Sequence, residues 1–240
     1  MLEKYFKQLK WDSDFFGYKI AQVNNGESIE IKLPSILTFL KESDYKLLVW
    51  KIPLENKKLF EIAINNKGIL VDEKTTYTIL INKNIINSNT PKIIEYPYKG
   101  INKELLNLAI ESGEFSRFKI DLNFKNGEFK KLYKKWIERS VKKEIAEKVF
   151  VYILNNKIVG MITIGKKNSK GAIGLIAVNK EYRGLNIGKQ LIQNAINYFN
   201  SISVTKLEVV TQGKNKQACL FYEKCNFKIK KIEYVFHFWL

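Results

Sequence analysis

The sequence predicts an α/β protein with a mixed, mostly antiparallel sheet flanked by helices, and three observations point there. In the first hundred residues, apolar runs of strand length alternate with stretches of helical periodicity. Between residues 148 and 164, two apolar runs are joined by Asn155-Asn156, a pair that tolerates the positive φ of a tight hairpin turn. A third strand-like run then enters a glycine-containing turn that opens a strongly apolar helix.

Taken in order, Pro34 to Ser43 reads as a helix and Tyr45 to Ile52 as the apolar run after it. Lys57 to Asn66 is helical again and leads through Gly68 into a strand, Thr75 to Ile81. Residues 82–99 turn polar and hold Pro91 and Pro97, with Gly100 just beyond, so the chain divides there. A smaller N-terminal α/β domain, 1–98, is expected to precede a second domain, 99–240. In the second, Asn102 to Ser112 is a helix stopped by Gly113, and Gly127 to Ser140 another, with Phe129, Leu132, Tyr133 and Trp136 as its core stripe. Lys148 to Leu154, Lys157 to Ile164 and Ala172 to Val178 form an antiparallel meander. The helix Lys189 to Phe199, the strand Leu207 to Thr211 and a terminal strand, Tyr234 to Leu240, follow. That last strand either closes the sheet internally or pairs with a second copy, giving a homodimer.

Composition excludes several classes. With 240 residues, 45% of them apolar, and only four prolines, the chain has material for a core and is not disordered. Cys219 and Cys225 lack CxxC spacing, and His237 is the single histidine, so no metal or disulfide is expected. No apolar run reaches the roughly 18 residues that span a bilayer, and Met1 to Lys10 does not resemble a signal peptide. The expectation is a cytoplasmic protein without a membrane partner. A net charge of +17 brings nucleic acid to mind. Yet the lysines are scattered and only Arg117, Arg139 and Arg183 are arginine, which leaves neither a basic stripe nor a basic tail. Such a charge suits a small phosphorylated ligand better, and a basic nucleic-acid-binding module is the rival class.

The chemistry concentrates between residues 179 and 188, Asn-Lys-Glu-Tyr-Arg-Gly-Leu-Asn-Ile-Gly. A strand followed by a glycine turn and a helix exposes unpaired backbone amides at the positive end of the helix dipole, a phosphate-binding arrangement. Neither a GxGxxG fingerprint nor a Walker A loop is present.

Val178 to Leu191 resembles the acetyl-CoA pyrophosphate loop of the GNAT N-acetyltransferase superfamily, Gln/Arg-x-x-Gly-x-Gly/Ala, matched at Arg183 and at Ile187 to Gly188, with one departure. Asn186 replaces the usual middle glycine and is the residue that best tolerates the same left-handed geometry. Asn215-x-x-Ala218-x-x-Phe221-Tyr222, with Phe227 beyond, is similar to the superfamily's last motif. On a helix, Asn215, Ala218 and Tyr222 share one face. Leu9 to Gly17, Ser112 to Asp121 and Trp136 to Ser140 resemble the dTDP-fucosamine acetyltransferase subgroup, which acetylates a 4-amino-4,6-dideoxy sugar carried on dTDP. The resemblance implies an acetyltransferase fold, acetyl-CoA as cosubstrate, no metal, and a nucleotide-sugar acceptor.

It also implies roles. The third strand is expected to splay from the next, so that backbone N–H groups around Ile176, Ala177 and Val178 bind the pantetheine arm and acyl oxygen. Arg183, Gly184, Leu185, Asn186, Ile187, Gly188 and Lys189 would hold the pyrophosphate, with Asn215, Ala218 and Phe221 along the arm. Tyr222 is the proposed general acid toward the thiolate, against the plain reading of a core tyrosine. For the base, His237, Glu208 and water stay open. Ser116, Arg117 and Phe118 offer a hydroxyl, a phosphate fork and an aromatic face to the acceptor, or Arg117 pairs with Asp121. Asp12 and Asp14 cap a turn, or Asp14 meets the sugar amine. A protein N-terminus or another small amine is the alternative acceptor.

Overall fold

The computed structural model describes residues 2–26, 29–81, 92–125 and 127–240. Most of the expected linker, 82–91, lies outside them. The chain resolves into two compact units, Met1–Thr75 with Lys231–Leu240, and Thr76–Lys230. Sequence composition put a division at 98/99 instead. The compact division falls inside two strands of twelve residues each, Ile69–Leu80 and Lys228–Trp239, long enough for their halves to pack with different neighbours.

The first unit contains β1 (Phe6–Gln8), α1 (Lys10–Phe16), β2 (Lys19–Val23), α2 (Ile29–Glu42), β3 (Tyr45–Pro53), α3 (Lys57–Asn65) and the first half of β4 (Ile69–Leu80). β2 and β3 are parallel, joined by α2, while β3 runs antiparallel to the chain's last strand from Glu233 to Trp239. That last strand lies between β3 and β4, so it is an inner strand with neighbours from this chain on both edges, in a sheet that stays open. Leu33, Ile36 and Leu40 of α2 pack on Trp50 and Phe236 in the core. The turn after α1 is held by Ser13: Ile20 N–H donates to Ser13 Oγ at 2.9 Å, and Ser13 Oγ donates to the Leu9 carbonyl at 2.8 Å. Residues 6–23 carry no pattern from which these three short elements were expected.

The second unit contains the rest of β4, β5 (Ile93–Glu95), α4 (Lys103–Glu111), α5 (Arg117–Ile120), α6 (Glu128–Val141), β6 (Lys148–Leu154), β7 (Lys157–Lys167), β8 (Lys170–Val178), α7 (Ile187–Ser201), β9 (Lys206–Gln212) and α8 (Lys216–Lys224); the last strand is β10 (Lys228–Trp239). Its sheet runs β4-β9-β8-β7-β6-β5. The expected β6-β7-β8 meander is present, with Asn155 and Asn156 at φ 50° and 59° in the hairpin. α4 and α6 cover one face through Leu105, Leu108, Ala109 and Ile137. α7 covers the other through Ile187, Leu191, Ala195 and Phe199, each wholly or nearly buried, as its apolar repeat requires.

One irregularity positions the site. β7 and β8 pair Ile162 with Ile176 but Ile164 with Ile173, so β8 carries one residue more than its partner, a β-bulge around Gly174-Leu175. The Thr163 hydroxyl fills the gap, accepting from Leu175 N–H at 2.8 Å. Pairing of β8 with β9 covers only Gly171 to Ile173 and stops as the bulge begins. Beyond it the two strands part.

Candidate active site

Where β8 leaves β9 there is a cavity of about 870 Å³, lined wholly from the second unit. Its first wall is the freed edge of β8. Asn179 N–H donates back to β7, to the Val159 carbonyl at 2.9 Å. Because successive N–H groups of an extended chain point to opposite edges, those of Ile176 and Val178 point away from β7, toward the opening. The Val178 carbonyl on that edge accepts from Arg183 Nε at 3.1 Å.

The second wall is the turn into α7. Gly184 and Asn186 take positive φ, 83° and 61°, and Asn186 is the N-cap of α7. Its side chain makes no capping bond, and the first intrahelical bond at this end runs from Gln190 N–H to the Asn186 carbonyl. The N–H groups of Ile187, Gly188 and Lys189 are therefore left without helical partners at the positive end of a 15-residue helix. Lys180, Arg183, Lys189 and Lys224 add cationic side chains to the lining. An anionic ligand fits here on two independent grounds, backbone donors and side-chain charge.

The third wall is α8. Asn215 caps this helix, its Oδ1 accepting from Ala218 N–H at 3.1 Å, so it stands just ahead of the helix on which its spacing had placed it. Ala218, Phe221 and Tyr222 follow along the cavity. Tyr222 is 3% exposed. Burial first, then the neighbouring Cys225 and Cys219 thiols, push its phenol well above the usual tyrosine range, so it stays protonated at neutral pH. Its ring packs on Tyr77, whose hydroxyl donates to Glu223 Oε1 at 3.0 Å. Cys225, a free thiol that burial raises in pKa, also lines the cavity.

Every residue expected to touch the donor lines this cavity except Leu185, whose side chain is exposed outside it. The acceptor residues fall differently. Ser116 is the N-cap of α5, with a buried Oγ that has no hydrogen-bond partner. Phe118 is buried against Phe124 and Trp136, and the Arg117 guanidinium lies 4.5 Å from the Phe118 ring centre. None of the three lines the cavity; Ser112, Glu114 and Phe115 from the same segment do, with Glu111 at the end of α4 just before it. The quoted stretch reaches the site, but through the loop before α5. The one available signal is Ser116 ahead of Arg-Phe-Lys-Ile, a residue type common at an N-cap, although its hydroxyl makes no capping bond to the helix that follows.

Asp14 is exposed on α1 of the first unit. His237 is fully buried on β10 of that unit, opposite Val49. Glu208 is paired with Lys230 at 2.8 Å and Lys170 at 3.2 Å. Partial burial pushes its carboxyl up, but the two lysines outweigh this and hold it below the ordinary carboxylate value. It does not line the cavity. Among the described residues, no group of three His, Cys, Asp or Glu is placed to hold a metal ion, and no helix is long and apolar enough to cross a membrane.

Comparison with known proteins gives relatives for the stretch that carries this cavity. Residues 120–227 match the model of the acetyltransferase (GNAT) family. That stretch is similar to the GNAT acetyltransferases. In structure, the chain is similar to a GCN5-related N-acetyltransferase from Sphaerobacter thermophilus, with a TM-score of 0.64 and 12% identity over 98% of this chain and 76% of that one. The GNAT fold, a mixed sheet flanked by helices, is the fold of this protein. In sequence, the chain is similar to streptothricin acetyltransferase A of Bacillus subtilis, 34% identical over 91 residues, which are 38% of this chain and 53% of that protein. It is also similar to N-alpha-acetyltransferase 30 of Schizosaccharomyces pombe, 26% identical over 40% of this chain and 67% of that one. The chain thus spans about half the length of the first of these relatives.

Proposed function

We propose that the protein is an acetyl-CoA-dependent N-acetyltransferase that moves an acetyl group to the amine of a nucleotide-linked aminodeoxy sugar. One observation carries the acetyl-CoA part: the freed β8 edge, with Ile176 and Val178 N–H aimed across the same cavity as the α7 N-terminus and Tyr222. An edge strand without a partner suits an extended, amide-bearing arm, which takes the place of the missing strand. The free amides of α7 with Lys180, Arg183 and Lys189 suit the diphosphate.

In the transfer, the acceptor nitrogen attacks the acetyl carbon, the N–C bond forms and the C–S bond breaks. A backbone N–H of the β8 edge stabilises the negative charge that develops on the acyl oxygen. Tyr222 gives its proton to the departing sulfur, and its raised pKa keeps that proton in place beforehand. The proton lost by the acceptor nitrogen passes to solvent, which also reprotonates Tyr222; of the candidate bases, neither His237 nor Glu208 lines the cavity.

The nucleotide-sugar acceptor rests on the resemblance of Leu9 to Gly17, Ser112 to Asp121 and Trp136 to Ser140. A second reading, an antibiotic amine or a protein N-terminus, is favoured by what the two sequence relatives are named for. The Glu114 carboxylate and the exposed Phe115 ring on the cavity wall also suit an ammonium-bearing acceptor. Thiol release from acetyl-CoA, measured with dTDP-4-amino-4,6-dideoxy sugars, streptothricin and amino-terminal peptides side by side, tests both. Saturable turnover with one dTDP-amino sugar alone supports the proposal. Turnover with peptide or antibiotic, and none with the sugars, replaces it with the second reading.

A further inference from the structure

Arg183 does more than mark the start of the donor turn. Its Nη2 is 2.6 Å from Glu111 Oε1, while its Nε donates to the Val178 carbonyl at 3.1 Å. Two of its five N–H donors are thus fixed, one by the β8 edge and one by the last residue of α4. The side chain is half exposed and lines the cavity beside the α7 N-terminus. Glu111 is itself held firmly, because α4 is anchored on the sheet by Leu105, Leu108 and Ala109, each 0–2% exposed. An ion pair this exposed contributes little to folding stability. Its geometry is specific all the same: it fixes the plane of a guanidinium that lines the cavity and whose other N–H groups are not used by these two bonds.

We infer that Glu111 is a positioning residue for the donor site: from the end of α4 it orients Arg183, so that the guanidinium binds the diphosphate together with the free amides of α7. The inference rests on the acetyl-CoA reading above and deepens it. Nothing in the donor-loop pattern points to Glu111, which lies 72 residues before Arg183.

The test compares wild type, Glu111→Ala, Glu111→Gln, Arg183→Lys and the Glu111→Ala/Arg183→Lys pair by calorimetric binding of CoA. In parallel, S-acetylpantetheine, which has the thioester arm but no diphosphate, serves as acetyl donor in the thiol-release assay. Glu111→Ala is expected to weaken CoA by about three- to tenfold, the range for one charge-assisted bond discounted for exposure. Glu111→Gln, which keeps a carbonyl acceptor, falls between it and wild type. kcat/KM with S-acetylpantetheine falls less in Glu111→Ala than CoA affinity does, and the double variant binds CoA no more weakly than Arg183→Lys alone. A merely structural role would lower both donors alike, together with the melting temperature. Equal weakening of both donors, or CoA binding as tight in Glu111→Ala as in wild type, overturns the inference. If wild type itself does not bind CoA, the donor reading fails and takes the inference with it.

Discussion

Gly188 and Phe221 are packed against each other so closely that a Cβ built on the glycine stands 3.1 Å from the phenyl ring. This contact joins the first turn of α7 to α8, and with it the α7 wall of the cavity to the helix that carries Tyr222.

Gly188→Ala is therefore expected to shift the Phe221 ring by a few tenths of an ångström and destabilise the fold by about 1 kcal/mol, in the range for mild overpacking. Acetyl-CoA binding should weaken as well, because the helix start and α8 both line its site. Thermal melts and CoA titrations check this. Phe221→Leu in the same chain, which removes the ring, should restore stability and part of the affinity.

Asn186 at φ 61° leads to a second expectation. Asn186→Gly should be neutral or slightly stabilising, whereas Asn186→Ala should cost about 1 kcal/mol, the lower end of the penalty for a Cβ in left-handed geometry. Because the turn presents the α7 amides, Asn186→Ala should weaken CoA more than it lowers the melting temperature would suggest. Equal behaviour of the two variants in both assays would show that the turn does not depend on this conformation.

Tyr222→Phe keeps the ring contacts with Tyr77, Phe221 and Phe227 and removes only the hydroxyl. kcat for acetyl transfer is expected to fall by about a hundredfold, in the lower range for general acid catalysis, with CoA affinity little changed. Since burial holds the phenol well above its usual value, the wild-type rate should show no loss from Tyr222 ionisation below about pH 10. A rate that survives Tyr222→Phe would return Tyr222 to an ordinary core role.

The same shifts set the alkaline limit of the fold. Burial first raises Tyr77, reinforced by its bonds with Cys219 and Glu223, and burial raises Tyr222 too. A group with a raised folded pKa binds its proton more tightly when folded, so its contribution is whole below the unfolded value and shrinks as pH rises beyond it. Stability should hold to about pH 10 and then fall, as unfolded tyrosine ionises while the folded phenols do not. Chemical denaturation between pH 8 and 11 measures the slope, and Tyr222→Phe should make it shallower.

At the acid end, Glu208 acts with the opposite sign. Lys230 and Lys170 hold its folded pKa below the ordinary value despite partial burial, so its contribution is present above the unfolded value and lost as pH falls through the folded one. Glu208→Gln should lower the dependence of stability on pH below about 4.5 while leaving acetyl transfer intact. A loss of activity in this variant would reopen Glu208 as a base.

How far the sequence could be read depended on whether the information was local. Asn155-Asn156, the apolar stripes of α6 and α7, and the turn from Arg183 to Gly188 all express their structure within a few residues, and each stands where the pattern put it. The acceptor segment was legible in place but not in phase: Ser112 to Asp121 reaches the cavity, yet through Ser112, Glu114 and Phe115, because α5 rotates Phe118 into the core. Residues 6–23 gave no usable signal of secondary structure, being three short elements whose order depends on strand partners and on Ser13.

By itself the sequence determined the α/β class, the meander, and a glycine-type turn opening a helix, because periodicity, hairpin residues and backbone preference are carried by neighbouring residues. Only the tertiary structure decided where β8 leaves β9, that Glu111 reaches Arg183, that Tyr77 backs Tyr222, and that His237 belongs to a core. These rest on a bulge filled by Thr163 and on contacts between residues 72 to 145 positions apart. Pairings at that separation follow from how whole elements stack, and no local pattern encodes them.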